Sequence, residues 1–144
     1  MLSSLGWPIK ESLLDYLAAL EDATVEVDGA ERTTNGFHFP VDSSRADGAS
    51  FQGTVRMTAH GGMLNVEIGF PQIVRVGSDV MLRVSTPSGA IDLARILDYP
   101  ADDALLLHSG GVVADIALTT AGSALLGNVY GPWTRLAPMT LVAN

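Results

Sequence analysis

Hydrophobic residues recur at helical spacing in one segment near the start of the chain, "WPIKESLLDYLAAL" at residues 7–20. Its apolar members fall on one face of a helix: Ile9, Leu13, Leu17 and Leu20. Pro8 suits the first helical turn, and Glu11 is favourable near the positive end of the helix dipole. The pattern predicts a single N-terminal α-helix.

Downstream of this segment, apolar and polar residues alternate with a period of two. The alternation is regular in "MLNVEIGF", where Leu64, Val66 and Ile68 face one way and Asn65 and Glu67 the other. Similar short segments, separated by Gly, Pro, Asp and Ser, are "TVEV", "GFHFP", "SFQGTVRMTA", "QIVRVG", "DVMLRVST" and "AIDLARIL". They predict antiparallel strands with one face in the core.

The C-terminal part predicts a buried strand at residues 112–118, a short helical turn at 120–126, and strand pieces around 129–133 and 139–142. No internal repeat, low-complexity segment or linker interrupts the chain, so residues 1–144 are predicted to form a single domain. The fold class is mainly β, a β-sandwich or partly closed barrel with one N-terminal α-helix.

Composition and charge exclude several classes of function. A net charge of −8 leaves no basic stripe to bind a phosphate backbone, so nucleic acid is not expected as a partner. The absence of cysteine rules out disulfides, thiolate metal sites and cysteine nucleophiles. No secretory signal and no apolar run of about 20 residues is present, so no membrane span is expected, and the chain is either cytoplasmic or a mature or excised domain.

Single residues do not decide the function. The histidines, His38, His60 and His108, lack the spacing of protein zinc sites, and no nucleophile elbow or phosphate-binding loop is present. His60 precedes two glycines, which is typical of a turn with an unusual backbone conformation, and His108 also precedes a Gly-rich turn. His38 alternates with two phenylalanines, as on a solvated strand face, and Tyr16 fits the edge of an amphipathic helix.

Four motifs in order carry more information than any of these residues. They are "WPIKESLLDY" at 7–16, "GFHFP" at 36–40, "FQGTVRMTAHGGMLNVEIGFPQIV" at 51–74 and "LTTAGSALLGNVYGPWTRLAP" at 118–138. In this order and spacing the chain resembles the HtaA domain, the haem-transport-associated domain of bacterial cell-envelope haem-uptake proteins. The chain departs from the family pattern at Ala59, where Gly is common, at Ala137, where Asp is common, and near Gly131 and Thr134.

The resemblance implies a non-enzymatic domain of two stacked antiparallel sheets that captures and relays ferric haem b, with no catalytic residues. Tyr16 would be the axial ligand to the iron, and His60 would be hydrogen-bonded to it; an anionic oxygen ligand suits Fe(III), as in catalase. Ser12, one helical turn before Tyr16, would reach a propionate, and Tyr130 would lie near the iron or a propionate. Leu13, Leu17, Met63 and Phe70 are candidates for an apolar slot around the macrocycle, although each could equally belong to the core. The sixth iron position is expected to be open.

The sequence also allows other functions. The scaffold could act in the cytoplasm on another apolar small molecule, as a binding protein or a small cyclase-type enzyme, which the departures at Ala59 and Ala137 would suit. A peroxidase-like activity at the open iron position is a further alternative, although no acid–base pair besides His60 is available for it. Under the haem reading, the partners are haem and other haem-uptake proteins, and the location is the extracytoplasmic cell envelope.

Overall fold

The structure is a computed structural model that describes residues 2–34, 36–45, 48–97, 110–127 and 130–143. Its helices are α1 (Glu11–Ala18) and α2 (Thr120–Leu125). The described strands are β1 (Leu2–Trp7), β2 (Thr24–Asp28), β3 (Glu31–Thr33), β4 (Gly36–Arg45), β5 (Gly48–Phe51), β6 (Thr54–Ala59), β7 (Leu64–Val76), β8 (Asp79–Thr86), β9 (Gly89–Ile96), β10 (Gly110–Ala114), β11 (Ile116–Leu118) and β12 (Met139–Ala143).

The strands form a curled antiparallel sheet, and the predicted mainly β fold with an N-terminal helix is confirmed. Strand order along the main path is β10-β12-β1-β4-β5-β7-β8-β9-β11, while β2 pairs with β6, β6 with β7, and β3 with β4. The first half of β4 pairs with β1 and its second half with β5. The family resemblance implied two stacked sheets. In the structure, β4 joins the strands into one continuous hydrogen-bonded sheet.

Helix α1 begins later than the sequence pattern predicts. Ile9 has a left-handed backbone with φ of 68°, and Lys10 is extended, so Pro8 and Ile9 precede the helix instead of forming its first turn. Ile9 is nonetheless fully buried in the core. The helix itself buries Leu13 and Leu17, and each buried leucine contributes about 2 kcal/mol of transfer free energy.

Some strands differ from the prediction. Strands β1 and β3 were not predicted, because β1 shows clear alternation only at Leu5 and Trp7 and β3 is short and exposed. The strand predicted at 112–118 is divided at Asp115: β10 pairs with β12, whereas β11 pairs with β9. Of the strand piece predicted around 129–133, Val129 lies outside the described residues and residues 130–133 form a turn instead of a strand.

The core lies inside the curl of the sheet and includes the inward-facing residues of most strands. Trp7 is 1% exposed, and its indole N–H donates to the carbonyl of Ala137 at 3.0 Å. Helix α2 is capped by Thr119, whose hydroxyl accepts from the backbone N–H of Gly122 at 3.0 Å and donates to the carbonyl of Asp92 at 2.6 Å. The Trp7 bond joins the chain before α1 to the segment after α2, and the Thr119 bonds fix the start of α2 against β9.

His38 is half-buried on β4 between the buried Phe37 and Phe39, and His108 lies outside the described residues. No helix in the described part of the chain has the length and apolar character to cross a membrane.

Candidate functional site

Tyr16 occupies the border between the buried and exposed faces of α1. Leu13 and Leu17, on either side of it along the helix, are packed into the core, while the Tyr16 side chain is 49% exposed. The core contacts of the leucines hold the helix in place. The phenol is therefore presented to solvent from a fixed backbone.

His60 lies in the tight connection between β6 and β7. Ala59 and Leu64 are the last paired residues, and the intervening turn is a short 3-10 segment in which His60, Gly61 and Gly62 have φ of 55°, 66° and 95°. Histidine tolerates the left-handed region better than most residues, and glycine adopts it freely. The local prediction of a turn with an unusual backbone conformation is thus confirmed.

The structure brings these two residues together. The hydroxyl oxygen of Tyr16 lies 2.6 Å from Nε2 of His60, and the ring centroids are 5.8 Å apart with planes inclined at 50°. In the neutral pair the phenol can donate to an unprotonated Nε2; once the phenol loses its proton, a protonated Nε2 can donate to the phenolate oxygen. The contact can therefore hold a proton on either partner.

A second polar pair lies beside the first. Ser12 Oγ and the Tyr130 hydroxyl are 3.3 Å apart, joining the first turn of α1 to the segment after α2. Ser123 holds the backbone of Tyr130 in place, because its buried hydroxyl donates to the Tyr130 carbonyl at 2.5 Å. Lys10 is also close, with Nζ 5.5 Å from the centroid of the Tyr130 ring.

All four predicted site residues line one cavity of about 420 Å³. Apolar side chains form the rest of its wall: Leu13, Leu64, Val66 and Leu126. The volume falls within the range of small-molecule sites, and an apolar wall with a few convergent polar groups is their usual composition. The cavity can therefore hold an apolar molecule with polar groups at its edge.

Of the four apolar residues named for the slot, Leu13 lines this cavity and the other three do not. Leu17 packs into the core without lining the cavity, whereas Met63 and Phe70 are 91% and 52% exposed and lie outside its wall. The actual wall residues on β7, Leu64 and Val66, belong to the alternating inward face that follows His60 in sequence. That alternation was a usable signal; nothing local in the sequence marks Leu126.

A larger and more open groove, of about 680 Å³, lies along the other face of α1. Its lining includes the charged side chains of Glu11, Asp15 and Arg32 and contains none of the four predicted site residues. Within the described ranges no cluster of three His, Asp or Glu side chains could hold a metal ion. The smaller, apolar cavity is therefore the candidate site.

The departures at Ala59 and Ala137 do not disturb this cavity. Both residues are buried and neither lines its wall. Ala137 takes part in the fold through its backbone, because its carbonyl accepts from Trp7 and its N–H donates to the carbonyl of Ile9 at 3.1 Å. A side-chain change at this position leaves both bonds available.

A model of the HtaA family (Htaa) matches residues 3–142. The chain belongs to the HtaA family. No curated protein sequence matches it.

Solved structures show the same HtaA fold at low sequence identity. The C-terminal domain of HtaA from Corynebacterium glutamicum has a TM-score of 0.79 at 19% identity, and the alignment covers 97% of this chain and 94% of that chain. The N-terminal domain of HtaA from the same organism has a TM-score of 0.78 at 21% identity, covering 100% and 98%. The heme binding protein HtaB of this organism has a TM-score of 0.76 at 23% identity, covering 97% and 91%.

Proposed function

We propose that this protein binds ferric haem b in the cavity beside α1, with Tyr16 as the axial ligand of the iron and His60 as the hydrogen-bond partner of that ligand. The single observation that carries this proposal is the 2.6 Å contact between Tyr16 and His60 at an apolar cavity. Membership of the HtaA family and the similarity to a protein described as heme binding support it.

The donor set suits ferric haem. A phenolate oxygen is an anionic ligand that stabilises Fe(III), and tyrosine serves this role in catalase. His60 can take up the proton that Tyr16 loses and can then donate to the phenolate, which would orient the ligand and adjust its basicity. His60 is thus placed to act on the ligand without binding the iron itself.

The cavity wall suits the macrocycle and its substituents. Leucine and valine side chains offer an apolar surface, and polar groups are confined to the two pairs Tyr16–His60 and Ser12–Tyr130. Ser12 and Tyr130 each carry a hydroxyl that can donate to a carboxylate. We infer that this pair binds a propionate while Tyr16 binds the iron.

The exposure of the site favours temporary binding. Tyr16 is half exposed, so a ligand on it can be approached from solvent or by another protein without opening the core. We propose that the domain, as a single unit of residues 1–144, relays haem to other haem-uptake proteins in the extracytoplasmic envelope. The family relationship supports the sequence prediction of a binding protein that is not an enzyme.

A hemin titration followed by absorption tests the proposal. The wild-type protein is expected to give a Soret band and a phenolate-to-iron charge-transfer band at a ratio of one haem per chain. Tyr16→Phe should lose the charge-transfer band, and Tyr130→Phe, which removes the other phenol of the cavity, should keep it. An unchanged band in Tyr16→Phe contradicts the ligand assignment, and failure of the wild type to bind hemin contradicts the function and favours another apolar ligand.

A further inference from the structure

The described cavity wall carries no charged side chain that could pair with the carboxylates of the proposed ligand. The described wall residues include no Asp, Glu, Lys or Arg, and the chain as a whole has a net charge of −8. A tetrapyrrole with ionised propionates is therefore repelled on average, and hydroxyl groups alone offset that repulsion weakly. A cation near the Ser12–Tyr130 pair would change this balance.

Lys10, the only lysine of the chain, lies at this place. Its ammonium is 5.5 Å from the centroid of the Tyr130 ring, whose hydroxyl lies 3.3 Å from Ser12. The backbone of Lys10 immediately precedes α1, and its side chain makes no capping bond there. The ammonium instead donates to the carbonyl of Arg135 at 3.0 Å.

This partner is one that a carboxylate can replace. Ion pairs to carboxylates occupy Arg83, Arg95 and Arg135, whereas within the described ranges the Lys10 ammonium contacts a neutral carbonyl. A carboxylate attracts the ammonium through a full opposite charge, which a neutral carbonyl lacks. The flexible lysine stem lets the ammonium move from the Arg135 carbonyl to a nearby anion.

We propose that Lys10 binds a carboxylate of the tetrapyrrole at the Ser12–Tyr130 end of the cavity, and that the site therefore favours macrocycles with free carboxylates over their esters. This inference rests on the proposed haem-binding function. It assigns Lys10 a role in ligand selection that is separate from iron ligation by Tyr16.

The test compares hemin with hemin dimethyl ester, which keeps the iron and macrocycle but lacks both charges. Lys10→Gln is expected to weaken hemin binding by about threefold to tenfold and to leave ester binding unchanged. Lys10→Arg should retain most of the preference for hemin. The control, Arg75→Gln, makes the same change in net charge at an exposed position outside the cavity wall and should leave both affinities unchanged.

Equal loss of affinity for hemin and ester in Lys10→Gln would overturn the proposal, because a packing role through Tyr130 does not distinguish the two ligands. No loss for either ligand would also overturn it. Failure of the wild type to bind either ligand would overturn the haem-binding function itself, which is a distinguishable result.

A second measurement needs no variant, since the chain has one lysine. Acetylation of Lys10 in the wild-type protein, followed by mass spectrometry, should slow by about threefold or more with hemin bound and stay unchanged with the ester. Equal rates with both ligands would contradict an ion pair at Lys10.

Discussion

The Tyr16 hydroxyl and Nε2 of His60 lie 2.6 Å apart although 44 residues of sequence separate them. Each partner is placed by its own element, Tyr16 by a helix anchored through Leu13 and Leu17 and His60 by the turn between β6 and β7. Neither element depends on the contact for its own packing. The pair is therefore positioned before any ligand arrives, and it can be altered without unfolding the domain.

Replacing His60 tests the support that it gives to the ligand. His60→Asn keeps a residue that tolerates the left-handed backbone but removes the imidazole, so the charge-transfer band should persist while hemin affinity falls by about tenfold to hundredfold. Hemin titration with Tyr16 intact measures this effect. An unchanged affinity would mean that the contact does not support iron ligation.

His60→Ala provides a matched comparison at the same position. Alanine at a positive φ adds a backbone cost of about 1 kcal/mol, so this variant should show the same loss of affinity as His60→Asn together with a lower melting temperature. Thermal unfolding of both apo variants separates the two effects. Equal melting temperatures would show that the turn relaxes around residue 60.

Removing the iron tests ligation without changing the protein. Protoporphyrin IX has the same macrocycle and carboxylates as hemin, so the wild type should bind it at least tenfold more weakly, on the order of 1.4 kcal/mol or more, because Tyr16 has no metal to bind. Tyr16→Phe should bind the two ligands nearly equally. Quenching of tryptophan fluorescence measures both affinities, and equal binding by the wild type would contradict a role for the iron.

Ser123 is expected to hold Tyr130 in the cavity wall. Its hydroxyl is buried and donates to the Tyr130 carbonyl, so Ser123→Ala should reduce the free energy of unfolding by about 1–3 kcal/mol and also weaken hemin binding. Thr120→Ala, at an exposed position on the same helix, is the control. Urea unfolding and hemin titration check both effects, and lost stability with full affinity would separate Ser123 from the site.

Gly122 allows α2 to lie close to β9. A Cβ at this position would come within 2.1 Å of the Leu93 carbonyl oxygen and 2.8 Å of a Leu118 methyl group. Gly122→Ala should therefore destabilise the fold by about 1–3 kcal/mol, measured by urea unfolding. Gly131→Ala, where a Cβ meets nothing within 4 Å, should have little effect; similar values for both would contradict the close approach.

The sequence predicted the elements that depend on a local residue pattern. Period-two alternation identified β6 to β9 because each strand has one buried and one wetter face, and the two glycines after His60 identified the turn. The pairing of Tyr16 with His60 came from the family resemblance, since no local pattern links residues on different elements. The contact itself is now seen in the geometry, while iron ligation stays a prediction.

Other features depend on long-range packing and were not predictable from local patterns. The start of α1 is displaced because the backbone of Ile9 adopts a positive φ while its carbonyl accepts from Ala137, a contact that spans most of the chain. The cavity wall likewise combines α1, β7 and the end of α2. The exposure of Met63 and Phe70 was not predictable, because hydrophobicity alone does not report which large side chains the folded sheet leaves exposed.

The pairing of β1 with β12 determines when this part of the sheet can fold during synthesis of the chain. Strand β1 lies between β4 and β12, and β12 also pairs with β10. This part of the sheet can therefore form only after residues 139–143 have left the ribosome. Contacts between distant segments of a chain form slowly. Just before the helix that carries Tyr16, Trp7 and Lys10 donate side-chain hydrogen bonds to the carbonyls of Ala137 and Arg135. The proposed haem pocket is thus completed only after residues 135–143 have been synthesised, and haem is not expected to load onto a nascent chain that lacks them.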